Sequence, residues 1–331
     1  MLFARTVLAA LLASTLFALG ARAGDMAIEP AAAWSVQGDF EKGEEARTNL
    51  SGAACTTRVP PLQSCLIVND QKNYAQFFSI EGTTLIPGAV VRLRDGGDGD
   101  PDLEGAAYDK RLFYAVGSHG RSRYANKPND DSYAVFRFPV GKNGKPKSEM
   151  SENSAAGVQV STRLREAIRD AQGLGAFYDK PLSANGVNIE GIAVKDGRMH
   201  VGFRGPSIDG RGFILSADAD AVFGKKKLRA AVHALPFGET TGIRDLAAVR
   251  DGVLILTGPV NDQPVTPALF LWNEKTGALN KLAALAIPEA YRKHKAETLL
   301  VLRDQKGKPW RVLVMFDGPE NGGPTEYLIP R

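Results

Sequence analysis

The sequence predicts an all-β fold, a β-propeller with five recognisable blades and one helical insertion, on three observations. One apolar pattern recurs at Leu50-Ser51-Gly52-Ala53-Ala54, Leu103-Glu104-Gly105-Ala106-Ala107, Ile189-Glu190-Gly191-Ile192-Ala193, Ile243-Arg244-Asp245-Leu246-Ala247 and Ala296-Glu297-Thr298-Leu299-Leu300. Its starts at 50, 103, 189, 243 and 296 are separated by 53, 86, 54 and 53 residues, a blade-sized period. Each copy leads into a second apolar strand, and a chain of 331 residues accommodates five or six such units. A sixth unit too divergent to recognise is the alternative blade count.

At the N-terminus, Arg5 precedes an apolar stretch from Val7 to Leu19, followed by the small-x-small pattern Ala21-Arg22-Ala23. Residues 1–23 therefore read as a secretory signal peptide; the stretch is shorter than the roughly 20 residues of a spanning helix. A mature chain of residues 24–331, exported to the periplasm or secreted, forms one propeller domain with no transmembrane segment after cleavage. In an oxidising compartment the lone pair Cys55 and Cys65 forms a disulfide within the first blade.

Within the blades, the turns at Tyr108-Asp109-Lys110, Lys195-Asp196-Gly197 and Arg250-Asp251-Gly252 place second strands at 111–116, 198–203 and 252–256. Aromatic and branched residues at 133–138, 212–216 and 268–272 give outer strands. The long spacing accommodates an insertion at about 141–187. Leu164, Ala167, Ile168 and Ala171 follow a helical period there, and Gly141 to Lys147 is polar and turn-rich. Outer strands at Ala33–Val36 and Thr325–Ile329 join the two ends and close the ring.

The whole-chain charge is +4, from 41 basic and 37 acidic residues, which gives no electrostatic case for nucleic acid. Gly224-Lys225-Lys226-Lys227-Leu228-Arg229 reads as a solvated turn, and so does the acidic run Asp95 to Asp102, whose spacing differs from a helix-loop-helix calcium loop.

First strands line the axis of a propeller, so equivalent repeat positions converge. Ser51, Glu104, Glu190, Arg244 and Glu297 form one ring. A second comes from the ends of the second strands: Asn69 and Asp70, Ser118 and His119, Arg204, and Asp317. Three carboxylates together need a cation, a proton or Arg244 to balance them. Calcium with Glu104, Glu190, Glu297 and Asp317 as oxygen ligands is one arrangement. In the other, Glu190 and His119 act as acid and base, Arg204 holds an anionic substrate, and Glu104, Arg244, Glu297 and Asp317 bind the ligand. A purely structural role, with each Glu fixing its blade through backbone hydrogen bonds, stands beside both. No G-x-S-x-G, H-E-x-x-H or phosphate loop is present.

The ordered set Asp102-Leu103-Glu104-Gly105, Val116-Gly117-Ser118-His119, Asn188-Ile189-Glu190-Gly191, Phe203-Arg204-Gly205-Pro206, Gly242-Ile243-Arg244-Asp245 and Phe316-Asp317-Gly318-Pro319 resembles a family of secreted bacterial proteins of unknown function, over about residues 50–320. The E-G-x-A signature is also distantly similar to phytase-like esterase propellers, which implies a calcium-assisted phosphoester or ester hydrolase. The sequence thus leads to an exported propeller that binds a small polar or anionic molecule at its central mouth, either as such a hydrolase or as a non-catalytic ligand-binding or protein-interaction propeller of the cell envelope. In the latter case the insertion contacts a protein partner.

Overall fold

The computed structural model describes residues 27–40, 43–57, 64–96, 99–122, 126–225 and 227–331. The expected signal peptide lies outside the described residues. An N-terminal strap carries β1 (Ala27–Ile28), β2 (Ala32–Ala33) and β3 (Ser35–Val36), then the short helix α1 (Glu44–Thr48). Blade 1 follows as β4 (Leu50–Cys55), β5 (Cys65–Asn69), β6 (Tyr74–Glu81) and β7 (Thr84–Arg92). Blade 2 is β8 (Leu103–Asp109), β9 (Leu112–Gly117) and β10 (Val135–Pro139). The insertion contributes β11 (Met150–Ser151), β12 (Ser154–Ala155), β13 (Gln159–Ser161) and α2 (Leu164–Arg169).

Blade 3 consists of β14 (Asn188–Lys195), β15 (Arg198–Gly205), β16 (Arg211–Asp218) and β17 (Ala230–Pro236), with α3 (Ala219–Phe223) between the last two. Blade 4 is β18 (Thr241–Val249), β19 (Gly252–Pro259), β20 (Ala268–Trp272) and β21 (Leu279–Leu285). Blade 5 is β22 (Ala296–Arg303), β23 (Trp310–Phe316) and β24 (Thr325–Ile329). Each blade is a separate antiparallel meander, so the architecture is the five-bladed propeller of the repeat.

The second strands explain why the sequence reads as continuous apolar runs. On β19, Val253 and Ile255 pack toward blade 3 while Leu254 and Leu256 pack toward blade 5. On β23, Leu313 and Met315 face blade 1 and Val312, Val314 and Phe316 face blade 4. A strand with neighbours on both faces must be apolar on both. The core consequently lies between blades, as five clusters.

Near the axis the inner strands come closer than side chains allow. A Cβ added at Gly52 would lie 2.5 Å from the Cα of Gly105, one at Gly105 2.9 Å from the nitrogen of Ile192, and one at Gly191 2.7 Å from the nitrogen of Leu246. At the same repeat position blade 4 has Asp245, whose carboxylate accepts from the Leu299 amide at 2.7 Å. Blade 5 has Thr298, whose hydroxyl donates to the Leu50 carbonyl at 3.4 Å. Each blade touches the next at one level, through glycine contact in three cases and a side-chain hydrogen bond in two.

The strap closes the ring by pairing β1 with β21, β2 with β24 and β3 with β7, crossing blades 4, 5 and 1 in turn. Trp34 donates its indole N–H to Glu326 at 2.9 Å. Cys55 and Cys65 are direct partners on β4 and β5 and form the disulfide. In the insertion, Leu164 and Ile168 are buried against blade 3, and β13 adds a fourth strand to blade 2 that the helical pattern did not foretell. Among the described residues no helix is long and apolar enough to cross a membrane.

Gly191→Ala forces a methyl group into the backbone of the next blade, so we expect it to cost about 1–3 kcal/mol, read from the urea midpoint. A loss below roughly 0.5 kcal/mol would mean that the inner strands separate freely.

Candidate functional site

All five inner strands carry a β-bulge at the same place. The register between first and second strands skips Ser51, Glu104, Glu190, Arg244 and Glu297. A bulged residue has no cross-strand partner and its side chain is re-aimed out of the normal alternation. The bulge thus turns the residue before the close-packed position toward the axis. A further irregularity skips Arg204 on β15, opposite Glu190.

Glu104, Glu190, Arg204, Arg244 and Glu297 meet at one end of the axis. Glu190 binds Arg204 Nη1 at 2.9 Å and lies 3.4 Å from Arg244 Nη2, which also pairs with Glu297. Arg204 donates through Nε to the Val260 carbonyl at 2.7 Å. Burial lowers the Arg244 guanidinium to about 10, helped by the like charge of Arg204 and opposed by Glu190 and Glu104.

Above this network opens a cavity of about 300 Å³, lined by Asp70, Asp100, Asp102, Glu104, Glu190, Glu297 and Asp317 with Arg121, Arg204 and Asn188. Seven carboxylates face two guanidinium groups, and both guanidiniums are engaged: Arg204 as above, Arg121 with the Asn126 side chain at 2.7 Å and backbone at 2.6 Å. Glu104 is only 8% exposed and has no hydrogen-bond or ion-pair partner among the described residues. Asn188 is 9% exposed, with its side-chain oxygen likewise unpartnered among the described residues.

This excess of negative charge shows in the titration of the acids. Burial, then the charges of Glu190, Asp102 and Asp70, hold the Glu104 carboxyl well above the usual range. Burial and the neighbouring Asp102 push Asp70 up to about 8, and burial also raises Asp100. An acid that finds no counter-charge in a desolvated site keeps its proton.

Of the residues expected at the mouth, Glu104, Glu190, Glu297, Arg204 and Asp317 line the cavity, and Arg244 lies fully buried between Glu190 and Glu297. His119 does not line it. Its ring is fully buried edge-on to Tyr133, with Nδ1 2.9 Å from the Gly117 carbonyl, and burial lowers it to about 4. A neutral imidazole enclosed in this way is out of reach of a ligand in the cavity. The expected calcium ligands do not assemble as a set. Two of the four, Glu190 and Glu297, pair with arginine, and among the described residues no three His, Cys, Asp or Glu side chains gather to hold a metal ion.

Asp100 and Asp102, which the sequence suggests belong to a solvated turn, point into the cavity instead. The repeat contained the signal for Asp102 and Asn188. Both stand two residues before the bulge, where the other blades have Asn49, Gly242 and Lys295.

The sequence profile of a family described as "Protein of unknown function (DUF3616)" matches residues 135–326. No curated protein matches the chain. Among solved structures, the glutaminyl cyclase of Myxococcus xanthus is 10% identical with a TM-score of 0.46, over 92% of this chain and 100% of that one. An exo-β-1,3-galactanase of Phanerochaete chrysosporium is 11% identical with a TM-score of 0.46, over 91% of this chain and 63% of that one.

Because Asp70 is held protonated, it stabilises the fold below its ordinary range near 3.8, and that contribution is lost as pH rises toward about 8. His119 and His200, both lowered to about 4 by burial, act in the opposite sense, but only below 6.5. Asp70→Asn should therefore flatten the fall in melting temperature between about pH 6.5 and 8, above the range of the histidines. An unchanged slope there would mean that Asp70 is already ionised at neutral pH.

Proposed function

This chain belongs to the DUF3616 family of unknown function, and we propose that its axial cavity binds a small organic cation rich in hydrogen-bond donors, such as an amine or guanidinium compound. The observation that supports this most is Glu104, a buried carboxylate facing the cavity with no partner among the described residues. Leaving a buried carboxyl unpaired costs about 1–3 kcal/mol or more, and a cationic donor offsets that cost. A cavity of about 300 Å³ is at the lower limit for small-molecule sites.

An anionic ligand fits less well. It would face seven acidic side chains with no guanidinium to spare, since both lining arginines are already engaged. The phosphoester implied by the phytase-like resemblance is disfavoured on the same grounds, and calcium because Glu190 and Glu297 pair with arginine and no three acidic side chains gather to hold a metal ion among the described residues. Ester hydrolysis is the second reading, favoured by Asp70: a carboxyl held at about 8 is a proton donor at neutral pH. Its substrate would then carry the cationic group as well.

Isothermal titration of the protein with agmatine, putrescine, calcium and a phosphomonoester separates these readings. We expect an amine or guanidinium compound to bind, with proton uptake by buffer as Asp70 or Glu104 ionises, and Glu104→Gln to weaken binding about tenfold. Binding of calcium or the phosphomonoester alone, or an amine affinity untouched by Glu104→Gln, would contradict the reading.

A further inference from the structure

We propose that the axial cavity recognises a hydroxylated amine, such as an amino sugar, and that Asn188 reads a hydroxyl beside the ammonium group held at Glu104. This rests on the cation site proposed above and assigns the neutral part of its ligand.

Asn188 opens β14 two positions before the bulge at Glu190, and its side chain lines the cavity. It is 9% exposed, and neither its amide oxygen nor its amide nitrogen has a hydrogen-bond partner among the described residues. Gly120, which also lines the cavity, keeps the space beside the amide open: a Cβ added there would stand 3.2 Å from the amide nitrogen. The amide therefore faces the ligand space. A buried amide left unpaired is destabilising, and a ligand that pairs it recovers that loss.

The pairing chemistry narrows the ligand. A side-chain amide offers an acceptor oxygen and two donor hydrogens, whereas an ammonium or guanidinium group only donates. A bare cation satisfies Glu104 and the amide oxygen but leaves the amide N–H groups empty. A hydroxyl both donates and accepts, so it pairs with either half of the amide, whichever way the amide is turned.

The walls of the cavity favour the same ligand. Among the described residues that line it, Leu182 is the single apolar side chain and none is aromatic. The methylenes of an alkyl amine would lie against carboxyl groups and strip them of water without replacing its hydrogen bonds. No ring face is present among these residues to hold a methylated ammonium. Hydroxyl groups donate to an ionised carboxylate and accept from a protonated one, so an amino sugar brings bonding groups to every side of an acidic wall. A volume of about 300 Å³ suits a single sugar ring rather than a chain of them.

Isothermal titration with glucosamine and cyclohexylamine tests this, because both carry a primary amine on a six-membered ring and only glucosamine carries hydroxyl groups. The titrations are run at about pH 6, where both amines are charged. The parent should bind glucosamine about tenfold more tightly than cyclohexylamine, and Asn188→Ala should close that gap to about threefold or less. The Asn188 side chain bonds to nothing among the described residues, so the variant should keep the melting temperature of the parent. Gly120→Ala, which narrows the space at the amide, should act in the same direction as Asn188→Ala. Equal affinity for the two amines in the parent overturns this inference and leaves the cation site standing, and so does a gap that Asn188→Ala leaves unchanged. Binding of neither amine overturns the cation site and this inference together.

Discussion

The structure depends on the approach of neighbouring inner strands at one level around the axis. Gly52, Gly105 and Gly191 permit contact so close that a methyl group would overlap the next backbone, and Asp245 and Thr298 replace that contact with hydrogen bonds. Strands this close leave no room for inward side chains at that position. The bulge immediately before it puts one residue per blade back on the axis. Packing and site are therefore two outcomes of one local geometry: the residue that closes the ring is preceded by the residue that lines the mouth.

That geometry concentrates charge, and the protein neutralises only part of it. Arg244 and Arg204 satisfy Glu190 and Glu297, while burial and neighbouring acids raise the carboxyls of Glu104, Asp70 and Asp100 above their ordinary range, Asp70 to about 8. Neutralising them is cheaper than burying their charge. In the proposed function it also stores an affinity, since a cation that enters would release protons and gain charge-assisted hydrogen bonds. The disulfide and the strap lie outside this region and serve closure: the bridge joins β4 to β5, and the strap lies across three outer edges.

The repeat made the blades legible because a period of about 54 residues survives in the inner strands even where the rest diverges. It also carried the ring, because Ser51, Glu104, Glu190, Arg244 and Glu297 occupy one repeat position and equivalent positions converge in a propeller. The second ring was legible only in part. His119 shares the end of its strand with Ser118, but its backbone turns at a positive φ of 52° and carries the ring into the core against Tyr133. Asp100 and Asp102 were hidden by a composition that also suits a solvated turn, and only the loop path into β8 sends them inward. Strand β13 left no periodic trace, since three residues are too few for one.

The central claim is that the mouth holds carboxyl groups without a counter-charge until a cation arrives. Carbon-13 NMR of labelled aspartate and glutamate carboxyls, titrated with pH in the absence and presence of a saturating organic cation, measures it directly. The account predicts that Asp70 titrates near 8 in the free protein, and that its midpoint and that of Glu104 fall when the cation binds. Midpoints in the ordinary carboxylate range, unmoved by any cation, would contradict it.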